Sequence, residues 1–157
     1  DDQCKFERPA VTDSRPVMLG YQAAGSAPFI AGHPIELPET VATAIRIGNP
    51  QSWDLAWAAA RESGGEFKSM TDEEILKIQR ELAEQEGIFC EPASAIALGG
   101  ALRDIESGHI KEGSVVTCTL TGHGLKDPDT AIKQSAGGVI EIPAESDAVK
   151  RAILDHL

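Results

Sequence analysis

Near the C-terminus the chain reads VVTCTLTGHGLKDPD, Val115 to Asp129, and a run rich in β-branched residues stops at Thr121-Gly122-His123-Gly124. A threonine at the carboxyl end of a strand offers a neutral hydroxyl that donates or accepts one hydrogen bond. Glycines beside it let the backbone approach something broad without side-chain interference. A flat heteroaromatic ring with one ring nitrogen fits that description. Two more loops carry unusual residues. Ile47-Gly48-Asn49-Pro50 reads as a turn or as a backbone that must come close to a flat ligand. In Cys90-Glu91-Pro92-Ala93-Ser94, Glu91 is either a charge favoured near a helix N-terminus or a ligand contact.

Other chemistries find no support. The chain has no Gly-x-x-x-x-Gly-Lys-Thr loop for a nucleoside phosphate and no Gly-x-Ser-x-Gly elbow for a nucleophilic serine. The Gly-x-Gly at Gly122–Gly124 lacks the third glycine of a dinucleotide fingerprint. His33 and His109 read as loop residues, and no His or Cys spacing suits a metal, so none is expected. With 25 acidic against 14 basic residues in 157, the net charge of −11 argues against nucleic acid or an anionic membrane as a partner. A small phosphate remains possible for an acidic protein, since backbone N–H groups can hold it.

Cys4, Cys90 and Cys118 form no Cys-x-x-Cys pair, and a reducing compartment, cytoplasm or organelle stroma, suits them. No apolar run approaches the roughly 18–20 residues of a membrane span. The opening DDQCKFERP has no apolar core of a signal peptide. It also starts without Met, which suggests a trimmed or cleaved chain or a fragment.

The elements that must position these loops follow from pattern. Residues 1–16 read as an irregular lead-in. Short strands are expected at VMLGY (Val17–Tyr21), GEFKSM (Gly65–Met70), GIFC, VVTCTL and GVIEI, with VVTCTL the clearest. A helix is expected from Ser52 to the Gly64-Gly65 pair, with Trp53, Ala56, Trp57 and Ala60 on one face. Thr71-Asp72-Glu73-Glu74 is a capping box opening a second helix to about Glu86, with Ile75, Ile78, Leu82 and Ala83 inward and Gly87 as its stop. Pro92 suits the first turn of an Ala-rich third helix. ESDAVKRAILDHL closes the chain as an amphipathic helix with Val149, Ile153 and Leu157 on one face. Strands alternating with helices imply an α/β fold with a mostly parallel sheet, helices on its faces, and ligands at the strands' carboxyl ends.

The stretches QAAGSAP, TAIRIGNPQSW, TDEEIL, GIFCEPASA and LTGHGLKDPDTA, in this order and spacing, closely resemble the C-terminal half of threonine synthase, over about Val17 to Ala131. The resemblance implies a tryptophan-synthase-β-like fold (fold type II) with helices on both faces of the sheet. It implies pyridoxal 5'-phosphate as cofactor. It also implies conversion of O-phospho-L-homoserine and water to L-threonine and phosphate. Thr121 would then hydrogen-bond the pyridine nitrogen, Ile47, Gly48 and Asn49 would border the ring, and Glu91 and Gly122 would lie at the pocket. A neutral hydroxyl cannot balance a protonated pyridinium, so a largely unprotonated ring nitrogen is expected.

The family's Schiff-base lysine lies in a Ser-Phe-Lys-Asp-Arg-like motif of its N-terminal half, and its phosphate-binding loop lies there too. Neither is found here: Phe67-Lys68 is not followed by Asp-Arg. The chain therefore reads, over 1–157, as the C-terminal portion of the catalytic domain. Its expected partner is the N-terminal, lysine-bearing portion of the same enzyme, which would be a homodimer when complete; alone it should be inactive and only marginally stable. Two alternatives stand beside this: a non-catalytic binding domain on the same scaffold, and a sister enzyme acting on another phosphorylated amino acid such as O-phosphoserine.

Overall fold

A computed structural model describes residues 14–134 and 141–155. Its centre is a parallel pair of strands, β1 (Gly20–Ala23) and β2 (Phe67–Met70), paired in the register Gly20↔Phe67 to Ala23↔Met70. Parallel strands need a long crossover. Here it contains α1 (Pro28–Ala31), a single 3-10 turn at Thr43–Ile45, and α2 (Trp53–Ser63). Then follow α3 (Asp72–Glu86), α4 (Pro92–Glu106), a 3-10 turn at Gly124–Lys126, α5 (Pro128–Gln134) and α6 (Ser146–Leu154). The arrangement is α/β, and no helix among the described residues is long and apolar enough to cross a membrane.

Alternation along the strands assigns one set of helices to each face. Tyr21 and Ala23, with Lys68 and Met70 beside them, look toward α3 and α4, where Ala23 and Met70 join Ile75 and Ile96 in a buried cluster. Gly20, Gln22 and Phe67 look the other way. There Phe67 stacks on Phe29 at 4.4 Å and meets Trp57 edge-on at 5.1 Å, while Gln22 Oε1 accepts the Phe29 N–H at 3.0 Å. Helices thus flank both faces of the pair.

The approach of α4 to the sheet depends on Gly99 and Gly100. A methyl group at Gly99 would lie 2.8 Å from Met70 Cε, and one at Gly100 would run into the Tyr21 ring. Beyond them Asp104, 2% exposed, accepts hydrogen bonds from Tyr21 Oη at 2.6 Å and Lys68 Nζ at 2.8 Å. Burial pushes the Asp104 carboxyl up, but those two donors outweigh it and hold the group below the usual carboxylate range. Burial and then the bond to Asp104 push the Tyr21 phenol far up. For Lys68, burial works against the charge, but the bonds to Asp104 and Glu66 prevail and raise its pKa. One polar group thus ties β1, β2 and α4 together.

Helix ends follow the sequence closely. Ser52 precedes α2 and Gly64 ends it in a left-handed conformation (φ 71°). The Thr71–Glu74 capping box opens α3 with both reciprocal bonds, and Gly87 (φ 67°) closes it. Three expectations need correction. Ala83 is exposed on α3, and Gln79 takes the buried position instead, donating from Nε2 to the Cys90 carbonyl at 2.8 Å. A polar side chain escaped the hydrophobic count but is needed to satisfy a buried backbone oxygen.

The larger correction concerns VVTCTL. Residues 114–121 form no helix and belong to no sheet. Cys118 and Leu120 turn inward, with Cys118 Sγ donating to the Ala97 carbonyl at 3.7 Å and Leu120 packing on Leu82, Cys90 and Ala95. The alternation was legible, but a ladder also needs a partner strand, and β1 and β2 pair with each other. GIFC likewise contributes one bridge, Cys90↔His123, rather than a strand. GVIEI and Leu157 fall mostly or wholly outside the described residues. On α6, Val149 and Ile153 are exposed, at 39% and 56%.

Candidate cofactor site at the start of helix α4

Hydrogen bonding gathers the 90–94 and 121–124 loops at the N-terminus of α4. Pro92 takes the first turn, where its missing N–H costs nothing, and the Glu91 carbonyl receives Ser94 N–H at 2.9 Å and Ala95 N–H at 3.2 Å. The Glu91 N–H donates to the Gly122 carbonyl at 3.0 Å, and Gly124 N–H donates to the Phe89 carbonyl at 3.0 Å. These bonds bracket the Cys90–His123 bridge and clamp the 121–124 loop onto residues 89–91.

Ser94 occupies the centre of this clamp. It is 1% exposed, accepts the Gly122 N–H at 2.8 Å, and lies 3.1 Å from Thr121 Oγ1. Thr121 itself is exposed, so its hydroxyl is held from behind and open in front. Ser94 was not singled out in the sequence, although it stood inside a loop that was. The missed signal was a small hydroxyl two residues after a helix-opening proline.

Glu91 is buried at 5% exposure, does not cap the helix with its side chain, and sits 3.6 Å from Lys126 Nζ. It supports the loop from below. A methyl group at Gly122 would collide with the Glu91 carboxylate, and one at Gly124 with the Phe89 ring. The two glycines therefore make room for the protein's own side chains, a different reason from the ligand approach expected of them. His123 between them accepts the Leu125 N–H on Nδ1 at 3.1 Å and meets Phe89 edge-on at 5.5 Å, pinning the following turn.

The 47–50 loop is held elsewhere. The Gly48 carbonyl accepts Ile35 N–H at 2.9 Å, and a methyl group at Gly48 would collide with the Ile35 carbonyl. Ile47 is half exposed, at 51%. The 47–49 turn thus packs on residues 35–38, joined to α4 through the preceding 3-10 turn, whose Ile45 packs against the cluster of Ile75 and Ile96. Its order is set by that backbone contact and not by any bond to Thr121.

This donor set suits a neutral heteroaromatic nitrogen. The exposed group is an uncharged hydroxyl backed by a buried one, and the nearby carboxylate, Glu91, is turned into the loop and paired with Lys126. No group of three His, Cys, Asp or Glu side chains gathers among the described residues to hold a metal. A separate concavity of about 460 Å³ lies against α2, lined by Gly32, Trp53, Asp54, Trp57, Ala58 and Arg61, away from α4 and its loop.

Comparison with known proteins agrees with this chemistry. The chain is 55% identical over 136 residues to threonine synthase of Synechocystis sp., covering 87% of this chain and 35% of that protein. It is 48% identical over 145 residues to threonine synthase of Mycobacterium leprae, covering 92% of this chain and 40% of that protein. The chain thus spans about two fifths of the curated relatives it matches. Among solved structures, O-ureido-L-serine synthase bound to O-ureido-L-serine superposes with a TM-score of 0.62 at 19% identity, over 87% of this chain and 38% of that one. Threonine synthase from Escherichia coli superposes at 0.56 and 18%, over 88% of this chain and 37% of that one; at these identities the likeness is one of fold. A profile described as pyridoxal-phosphate dependent enzyme matches residues 6–122, a span that takes in β1, β2, α4 and the loop up to Gly122. With that profile matching residues 6–122, the chain belongs to the family of pyridoxal-phosphate dependent enzymes.

Proposed function

We propose that this chain is the C-terminal portion of a threonine synthase, which forms L-threonine and phosphate from O-phospho-L-homoserine and water. The observation that carries the reading is 55% identity to a threonine synthase across 87% of the chain. Pyridoxal phosphate, when bound, supplies the electron sink for such elimination and replacement chemistry. The share of this chain is to hold the ring. The Thr121 hydroxyl would donate to the pyridine nitrogen, and because a neutral hydroxyl cannot balance a protonated pyridinium, that nitrogen would stay largely unprotonated. Ile47, Gly48 and Asn49 would border the ring, and Gly122 and Glu91 would fix the loop that carries Thr121.

The Schiff-base lysine is assigned to an N-terminal portion. Lys68 is unsuited to be that nucleophile. Its ammonium is engaged by Asp104 at 2.8 Å and Glu66 at 3.1 Å and stays protonated, whereas a nucleophilic lysine must be neutral. Residues 114–121 support a larger whole as well. They lie in no sheet, and Val115 is 97% exposed, as expected where strands from the rest of the protein complete the sheet. Resemblance supports a homodimer in a reducing compartment, and Cys90 and Cys118 are both free thiols.

The test is phosphate release from O-phospho-L-homoserine by the complete protein loaded with pyridoxal phosphate, alongside the present chain alone. Turnover by the complete protein, none by the chain alone, and weakened cofactor binding in Thr121→Ala are expected. Release from O-phosphoserine but not from phosphohomoserine would replace this reading with a sister enzyme. No release from either, with cofactor bound, would leave a binding domain.

A further inference from the structure

We propose that Ser94 is a positioning residue that turns Thr121 into a one-way hydrogen-bond donor toward the cofactor's ring nitrogen. This rests on the assignment of Thr121 to that nitrogen. Three hydrogen bonds carry it. The Gly122 N–H donates to Ser94 Oγ at 2.8 Å, so the serine oxygen already acts as an acceptor. A hydroxyl has a single proton to give. The serine proton has two acceptors in reach, Thr121 Oγ1 at 3.1 Å and the Gly122 carbonyl at 3.4 Å. The second is longer and is already used by the Glu91 N–H at 3.0 Å.

In the proposed arrangement the Ser94 proton takes the nearer acceptor, Thr121, and the proton of Thr121 is left to point outward, where the residue is exposed. Ser94 is 1% exposed, so water does not compete for it. The chain runs from backbone N–H through Ser94 and Thr121 to an acceptor. Each bond polarises the next in the same direction. Such a device favours a ring nitrogen that only accepts. It disfavours a protonated nitrogen, because that would have to donate to Thr121, turn the Thr121 proton back onto Ser94 and leave the Ser94 proton only the longer bond to the Gly122 carbonyl. The protonation state of the ring would then be set two residues away from it, by a serine buried in the first turn of α4.

The experiment is a double-mutant cycle on the complete protein, reading pyridoxal phosphate affinity by fluorescence and the ring-nitrogen resonance of ¹⁵N-labelled pyridoxal phosphate by NMR. Loss of one neutral hydrogen bond corresponds to an affinity change on the order of five-fold. Ser94→Ala should weaken binding by about that factor and move the resonance toward that of an unbonded neutral pyridine. Thr121→Ala should do at least as much, and Ser94→Ala/Thr121→Ala no more than Thr121→Ala alone. Ser94→Thr, which keeps the hydroxyl, should restore the resonance. Additive losses would reduce Ser94 to a packing residue and overturn the proposal. A protonated ring nitrogen in the unaltered protein would also overturn it, and that reading needs no variant to fold. If Thr121→Ala leaves the resonance unchanged, the assignment of Thr121 itself fails. If Thr121→Ala moves it and Ser94→Ala does not, only the part given to Ser94 fails.

Discussion

Replacing Lys68 with methionine removes the cation from the polar tie between the strands and α4, and its cost can be worked from the geometry. Lys68 Nζ lies 2.8 Å from Asp104 Oδ1, and the aspartate side chain is 3% exposed. At that separation and an effective dielectric of about 20, the gross attraction is about 6 kcal/mol. Desolvation of the two groups consumes much of it. In Lys68→Met the desolvation of Asp104 persists, with the Tyr21 phenol as its remaining side-chain hydrogen-bond partner among the described residues, so a loss of about 3 kcal/mol at neutral pH is expected. Asp104→Asn should cost less, about 1–2 kcal/mol, because Lys68 keeps Glu66 at 3.1 Å and its side chain is 24% exposed. The double variant should be more stable than Lys68→Met alone.

The pH dependence has a definite sign. In the unaltered protein the folded Asp104 pKa is depressed, so its contribution is complete above the unfolded value, about 3.9, and is lost as pH falls through the folded value. The folded Lys68 pKa is raised, so its contribution is complete below about 10.4 and is lost as pH rises through the folded value. In Lys68→Met the buried carboxyl is instead raised above its unfolded value, and the penalty should shrink on acidification. Urea unfolding followed by the fluorescence of Trp53 and Trp57, between pH 4 and 8, measures the Lys68→Met penalty and its change with pH. A Lys68→Met penalty no larger than that of Asp104→Asn, or one that grows toward pH 4, would refute the reasoning.

Gly100→Ala sets a methyl group against the Tyr21 ring; a loss of about 1–3 kcal/mol is expected from overpacking, and unchanged urea stability would contradict so close an approach of α4. Thr71→Ala removes the capping box of α3 and should cost about 1 kcal/mol, visible as a lower urea midpoint with the slope unchanged. Burial pushes the Cys90 thiol up, and the residue is 3% exposed. Its alkylation by iodoacetamide at neutral pH should be much slower in the folded protein than in urea, and equal rates would show that the 89–91 segment opens freely.

Much of the local structure was legible because it depends on near neighbours. The Thr71–Glu74 box, Pro92 at a helix start, and Gly64 and Gly87 at helix ends act within one turn of chain, and each stands where its type predicts. The inward face of α2 was also legible, with Ala60 at 3% exposure. VVTCTL was misjudged because alternation reports only which side chains turn inward. Pairing depends on where other strands run. Thr121 was legible as chemistry, a hydroxyl at the end of an extended segment. Ser94 was not, because it lies 27 residues away and only folding sets its oxygen 3.1 Å from Thr121.

By itself the sequence determined the longer helices α2, α3, α4 and α6, the glycines that end α2 and α3, the α/β class, and a neutral hydroxyl in place of a charge at the 121–124 loop. Those follow from short-range sterics, capping and periodicity, which operate before the chain folds. Only the tertiary structure decided why the glycines are there, with Gly122 yielding to Glu91 and Gly124 to Phe89. It also decided that Lys68 is held by Asp104, 36 residues distant, and is no free amine. Such contacts join segments far apart in the chain. Which atoms then share one small volume is settled by packing, since the same side chain is a ligand group, a support or a clash depending on what lies 3 Å away.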